Sequence, residues 1–171
     1  PILFLTDVSD LGSPDQAFSS GGDDFLNKPI NRIELLMRVR SLLRARHQES
    51  ILDGILAETH DAIALLDAKG QLVKWSQPAA NLLGFAAGAV LGKSFSGALS
   101  AAAQRQNFDE GIARHLASGN GALVNQRTTW TMNVAGGQER ALELYVTAIR
   151  TANETAFCVY IREPGGSRGG A

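Results

Sequence analysis

A single cysteine, Cys158, occurs in 171 residues. It has no partner for an internal disulfide, which excludes a disulfide-stapled secreted scaffold and fits a reducing cytoplasm. Excess charge of either sign is missing too. Lys plus Arg number 16 against 17 Asp plus Glu, for a net charge of -1. A protein whose main partner is nucleic acid usually carries a basic excess, so no nucleic-acid partner is expected. No apolar run approaches the ~20 residues needed to span a bilayer, and Pro1 to Leu5 is too short for a signal-peptide core. Charged residues are sparse at 19% beside 44% hydrophobic ones, a composition that excludes long intrinsic disorder. An initiating Met is also lacking. The expectation from Pro1 is that the sequence begins inside something longer.

What is present is unevenly distributed. Between Asn27 and His47 lie six basic residues (Lys28, Arg32, Arg38, Arg40, Arg44, Arg46) and one acid, Glu34, a local balance of +5. Pro1 to Asp24 holds five Asp and no Lys or Arg. The basic residues interleave with an apolar helical stripe, which favours a solvated helix face over a nucleic-acid surface.

Periodicity places the elements. Ile2 to Leu5 reads as a strand buried on both faces, Ser13-Pro14-Asp15 as the opening of a short helix, and Phe25-Leu26 as a second strand stopped by Pro29. Asn31, with Glu34 three residues on, is a plausible N-cap. From there Ile33, Leu36, Val39 and Leu43 recur at helical spacing, and the helix is expected to reach about Glu49. After a polar interruption at His47 to Ser50, Ile51, Leu52, Ile55 and Leu56 continue a helical stripe. Ala62 to Leu66, a turn at Asp67 to Gly70, and Leu72 to Trp75 form a hairpin. A short helix follows from Pro78 to Leu83, capped by Gly84, and a longer one from about Gln104 to Ala117. The last third alternates as strands. Val124, Thr128, Trp130, Met132 and Val134 share one side of an alternating run in which Gln126 breaks the apolar pattern. Leu142, Leu144, Val146 and Ala148 alternate again, and Phe157, Val159 and Ile161 form a third such face, with Gly136-Gly137 as a turn. Pro164 to Ala171 reads as a flexible tail. The element order gives a piece of parallel α/β sheet, then an α+β unit with an antiparallel sheet.

The first part resembles the second half of a two-component receiver (response-regulator) domain. The carriers are PILFLT at Pro1 to Thr6, AFSSGGDDFLNKP at Ala17 to Pro29, and INRIELLMRVRSLLRAR at Ile30 to Arg46. By that resemblance Thr6 bonds a phosphoryl oxygen, Lys28 pairs with the phosphoaspartate, and Phe25 is the aromatic that swings inward on activation. A hydroxyl and an ammonium converging on a dianion is coherent chemistry. The resemblance also implies a cis Lys28–Pro29 peptide. Asp7 departs from the small residue the family usually has after the Thr. The phosphoacceptor Asp and the Mg²⁺-binding acids belong to the other half of that fold, so none is assigned here.

The second part is similar to a PAS sensory domain through DAIALLDAKGQLVKWSQPAANLLGF at Asp61 to Phe85, LGKSF at Leu91 to Phe95, and the three terminal strands. That family has a five-stranded antiparallel sheet in order 2-1-5-4-3 with helices packed on one face. Ser76 departs from a common Asn, and Arg162-Glu163-Pro164 replaces the Asp-x-Thr that ends many members. The expected fold is thus an α/β receiver fragment joined by a helix to an α+β PAS domain: 1–46 truncated receiver, 47–60 connecting helix, 61–163 PAS domain, 164–171 tail.

Family members bind haem, flavin or small metabolites, or bind nothing and dimerise. A flavin photoadduct needs a Cys in the LGKSF region, where Lys93, Ser94 and Phe95 stand instead. The haem-ligand position on the long helix falls on Phe108, and His115, two turns later, reads as a half-exposed helix histidine. His47 and His60 stand alone without metal-ligand spacing. No cofactor or metal is therefore assigned, and the PAS ligand is left open. Trp75 and Trp130 are pocket-lining candidates, although a Trp on a sheet face is more often core. No Ser-His-Asp arrangement, Walker loop, zinc signature or G-x-S-x-G elbow occurs, so no enzyme is expected within the chain. A kinase, cyclase or phosphodiesterase output would lie outside it. The function expected is that of a cytoplasmic regulatory and sensory segment of a two-component signalling protein. Its partners would be an output domain or signalling protein and a second copy of the chain. The dimer is expected through a broken heptad stripe of Leu35, Leu42 and Leu56, flanked by Val39, Leu43 and Leu52. Alternatives are a ligand-silent PAS dimerisation module and a haem or flavin redox sensor.

Overall fold

A computed structural model describes residues 1–6, 21–150 and 154–165. The chain divides into two compact units, Pro1–Ile55 and Leu56–Ala171. The expected helix opening at Ser13-Pro14-Asp15, the departure at Asp7, and the tail from residue 166 lie outside the described residues.

In the first unit, β1 (Leu3–Thr6) and β2 (Asp24–Asn27) pair in parallel, with Phe4 opposite Phe25 and Thr6 opposite Asn27. Leu26 is the one buried residue among the described residues of this unit. The helix α1 (Arg32–Glu58) starts as its sequence predicts, the Asn31 carboxamide oxygen accepting from the backbone N–H groups of Ile33 (2.8 Å) and Glu34 (3.3 Å). Leu35, Val39 and Leu42 share one face and are half-buried there. On the same face Arg38 reaches both carboxylate oxygens of Asp24, at 2.9 and 2.8 Å, and also binds Glu34 one turn back. The polar stretch His47 to Ser50 does not interrupt the helix. It contains no Gly or Pro, and loss of an apolar stripe alone leaves the backbone bonds intact.

The second unit is built on a five-stranded antiparallel sheet. Its strands are β3 (Ala62–Leu66), β4 (Leu72–Trp75), β5 (Arg127–Val134), β6 (Gln138–Arg150) and β7 (Thr155–Arg162), ordered β4-β3-β7-β6-β5. Counted within the unit this is 2-1-5-4-3, as the resemblance implies. The β3–β4 turn closes because Asp67 Oδ1 accepts from the N–H groups of Lys69 and Gln71, while Gly70 takes a positive φ. β5 and β6 are joined through Gly136 and Gly137, both at positive φ. Between β4 and β5 lie α2 (Gln77–Leu83), α3 (Ala87–Val90), α4 (Phe95–Leu99) and α5 (Ala102–Ser118). Gly84 ends α2 and Gly119 ends α5, each in the left-handed conformation.

Alternation puts one face of every strand in the core. Ala64 and Leu66, Trp130 and Met132, Leu142, Leu144 and Val146, and Phe157, Val159 and Ile161 join Leu83, Phe95, Leu99, Phe108 and Ile112 from the helices in one apolar core. The large side chains Leu66, Phe95, Leu99, Phe108, Met132, Leu142 and Phe157 are among those wholly buried. The short helices α3 and α4 were not legible as helices in their Ala- and Gly-rich sequence, because four or five residues show no period.

Candidate functional site

The interior of the second unit is organised by aromatic rings. Phe108, on α5, stacks on Phe95 at 4.8 Å and meets the edge of Trp130 at 5.7 Å. Trp75 and Trp130 both lie in the core, each with its indole N–H bound: Trp75 to the Phe85 carbonyl (3.0 Å) and Trp130 to Thr128 Oγ1 (2.7 Å). Neither indole has polar capacity left for a ligand. The helix position assigned to a haem ligand is thus a phenyl ring in contact with two other rings.

Ser76, noted as a departure, is a structural joint. Its buried hydroxyl accepts from the N–H groups of Ile63 (2.8 Å) and Ala79 (3.3 Å) and donates to the Asp61 carbonyl (3.2 Å). It therefore caps α2 while fastening β3 to the end of β4. Glu163, the other departure, forms an ion pair with Arg140.

His115 corrects the sequence expectation. It is 7% exposed rather than half-exposed, because Phe108, Ile112 and His115 fall at i, i+4 and i+7 on the buried face of α5. Its ring meets the edge of Phe157 at 5.9 Å, and neither Nδ1 nor Nε2 has a hydrogen-bond partner. The spacing to Phe108 was the available signal. Beside it, an opening of about 390 Å³ is lined by His115 and by residues from Gly119 to Gln126.

Cys158 is buried on β7, where desolvation pushes its thiol up, a bond with Tyr160 acting in the opposite direction. Tyr160 is raised in turn, chiefly by charge on Cys158. A raised thiol is a poor nucleophile at neutral pH. Among the described residues, no three His, Cys, Asp or Glu side chains are placed to hold a metal ion.

In the first unit, the parallel pairing brings the ends of β1 and β2 together. The Lys28 N–H donates to the Thr6 carbonyl (2.8 Å), and the Thr6 hydroxyl donates to Asn27 Oδ1 (3.1 Å). The Lys28–Pro29 peptide is cis. Phe25 is half-buried on β2, and Lys28 is exposed at its end. Asp24 is held below the usual carboxylate range, first by the hydrogen bonds from Arg38. Arg38 is correspondingly raised.

Comparison with known proteins bears on the second unit first. The family model described as the PAS fold matches residues 31–164, well over half of the chain. The chain belongs to the PAS family. The same fold appears in the PAS domain of an HTR-like protein from Haloarcula marismortui, at 22% identity and a TM-score of 0.51, over 72% of this chain and 97% of that one. It appears again in the E. coli DhaR(N)–DhaL complex, at 19% identity and a TM-score of 0.56, over 75% of this chain and 40% of that one. Curated relatives match shorter stretches. The DNA-binding dual master transcriptional regulator RpaA of Synechocystis is 41% identical over 64 residues, 33% of this chain. The cell cycle transcriptional regulator CtrA of Caulobacter vibrioides is 30% identical over 71 residues, 40% of this chain. The PAS chain spans 27% and 29% of the lengths of these two regulators. Among its described residues, no PAS or α1 helix is long and apolar enough to cross a membrane.

Proposed function

We propose that this chain is a cytoplasmic regulatory and sensory segment of a two-component signalling protein, with a receiver-type segment joined through α1 to the PAS domain and no catalytic step of its own. The observation that carries the receiver part is the pairing of β1 with β2. It places Thr6 and Lys28, the two residues the resemblance assigns to phosphate, at one strand end, with Phe25 three residues before Lys28. The regulators RpaA and CtrA support the signalling context. The chain has no basic excess, at a net charge of -1, and the basic residues of α1 interleave with its apolar stripe, so it is read as regulatory rather than DNA-binding. Thr6 and Lys28 would read a phosphoryl group and cannot replace the nucleophile that accepts it. Incubating the full chain with acetyl phosphate is expected to leave its mass unchanged, and its absorbance spectrum is expected to show aromatic bands alone. A stoichiometric phosphoryl adduct, or a Soret or flavin band, would overturn this function.

A second role, dimerisation through α1, is supported by its exposed apolar residues. Ile33 and Met37 are 70% and 67% exposed, and Ile51 and Ile55, about five turns further along the same side, are 50% and 62% exposed. The seam first expected from Leu35, Leu42 and Leu56 is not the open one, since Leu35 and Leu42 are half-buried and Leu56 is buried. Light scattering on the full chain is expected to give a dimer mass, reduced to a monomer by Ile51→Asp with Ile55→Asp. A monomer mass for the unaltered chain at high concentration would remove this role.

A further inference from the structure

The open side of α1 is symmetric about one residue. Met37 and Ile51 stand seven residues to either side of Arg44, and Ile33 and Ile55 stand eleven. At 3.6 residues per turn, seven and eleven residues each fall within about 20° of whole turns. The four apolar side chains therefore share the Arg44 side of the helix, and all four are exposed. Arg40 and Gln48, each four residues from Arg44, flank the centre and are exposed as well.

The centre of this stripe is charged. Neither Arg40 nor Arg44 has an Asp or Glu three or four residues to either side, the spacing at which a helix pairs its own charges. Arg38, by contrast, is taken up by Asp24 and Glu34. Two blocks of apolar surface are thus joined by positive charge that the helix itself does not offset.

A stripe that is symmetric about one residue matches itself when turned end for end, so a second copy of the chain fits it. Two alignments bring the apolar blocks of both copies together. In a parallel, in-register pair each residue meets its own counterpart. Arg40 then faces Arg40, Arg44 faces Arg44, and Glu58 faces Glu58. In an antiparallel pair centred on Arg44, Ile33 meets Ile55 of the second copy, Met37 meets Ile51, and Arg40 meets Gln48. Arg32 and Glu58 of the second copy come within two residues of level, opposite charges on long side chains that are both exposed. The antiparallel alignment removes two of the three like-charge meetings and opposes the helix macrodipoles. Only Arg44 still faces its own kind.

We propose that two copies pair through α1 in antiparallel orientation about Arg44, with Arg32 and Glu58 matched at both ends. The opposed Arg44 guanidiniums set how tightly the copies hold, as a charged residue in an apolar seam fixes register at a cost in stability. This rests on the dimerisation role above and adds its geometry and its control.

The test is disulfide trapping in the full chain, one cysteine being introduced at a time at exposed positions of α1. Cys158 is buried, and the unaltered chain serves as the control. Arg44→Cys is expected to give a covalent dimer on mild oxidation. Met37→Cys and Ile51→Cys are each expected to stay uncrosslinked alone and to crosslink when mixed. In the antiparallel pair two Met37 positions lie about 21 Å apart along the axis, beyond the roughly 7 Å that a disulfide spans between Cα atoms. Light scattering on Arg44→Leu is expected to show a dissociation constant lowered by roughly tenfold or more. A dimeric chain in which Met37→Cys crosslinks alone, or Arg44→Cys does not crosslink, would overturn the antiparallel geometry. An unchanged dissociation constant in Arg44→Leu would overturn the control. A monomer mass for the unaltered chain would instead remove the dimerisation role itself, and this pairing with it.

Discussion

The two units hold their chains in place by different means. In Leu56–Ala171 a five-stranded sheet and four helices bury a continuous apolar core from Ala62 to Ile161. Among the described residues of Pro1–Ile55, only Leu26 is buried, and Ile2, Leu5, Ile30, Ile33 and Leu36 stay exposed. The first unit relies instead on local devices: an Asn31 cap, a short parallel ladder, and the Arg38 fork on Asp24 and Glu34. Such pairs are screened and individually weak, whereas apolar burial accumulates with area. Stability should therefore concentrate in the PAS unit, and strands β1 and β2 should open at lower cost.

Removing the centre of the core has the largest expected effect. Phe108→Ala takes away a wholly buried ring in contact with Phe95 and Trp130. A loss of about 3–5 kcal/mol is expected in denaturant unfolding. A loss below about 1 kcal/mol would mean that the rings are not the packed centre described.

Glycine substitutions sharpen the same contrast. Gly111→Ala would drive a methyl to 2.8 Å from Leu123 and should destabilise by about 1–3 kcal/mol despite the helical position. Gly54→Ala, in α1 with nothing within 4 Å, should add about 0.5–1 kcal/mol to helix stability. Equal signs in thermal unfolding would contradict the packing difference. Ser76→Ala strips a cap and two further bonds at a buried joint, for an expected cost of about 1–2 kcal/mol.

Much of this architecture was legible beforehand. The β3–β4 turn, Gly84, Gly119 and the Gly136-Gly137 turn announced their boundaries, because positive φ and caps select few residue types. The strand order came from the family resemblance, since alternation alone says which face is buried but not which strands are neighbours. The site was harder to read. His115 was placed by its residue type when its spacing from Phe108 should have placed it inside. Ser76 was noted only as a departure from a common Asn, and its role as a joint could not be read from its residue type because all three bonds run to backbone groups, two of them more than ten residues away. The unbroken course of α1 was obscured by treating the loss of an apolar stripe as the loss of a helix.

The smallest expected effect is a pH response confined to the first unit. Arg38 holds the Asp24 carboxyl below its usual range. A depressed folded pKa stabilises above the unfolded value of about 3.9 and is lost as pH falls through the folded one. Protection of the β2 amides should thus decline as the pH drops below about 4, and Arg38→Gln should remove that dependence. An unaltered acid response in Arg38→Gln would show that the fork does not hold the strand.

Hydrogen exchange on the full chain at neutral pH measures the contrast most directly. Amides of β6 and β7, the central ladder over Phe157 and Val159, should exchange only on global unfolding of the PAS unit. Those of β1 and β2 should exchange at least roughly a hundredfold faster, the equivalent of about 2.7 kcal/mol. Protection of Leu5 and Leu26 equal to that of Val146 and Val159 would contradict the account, since it would require a core around the first two strands comparable to that of the PAS sheet.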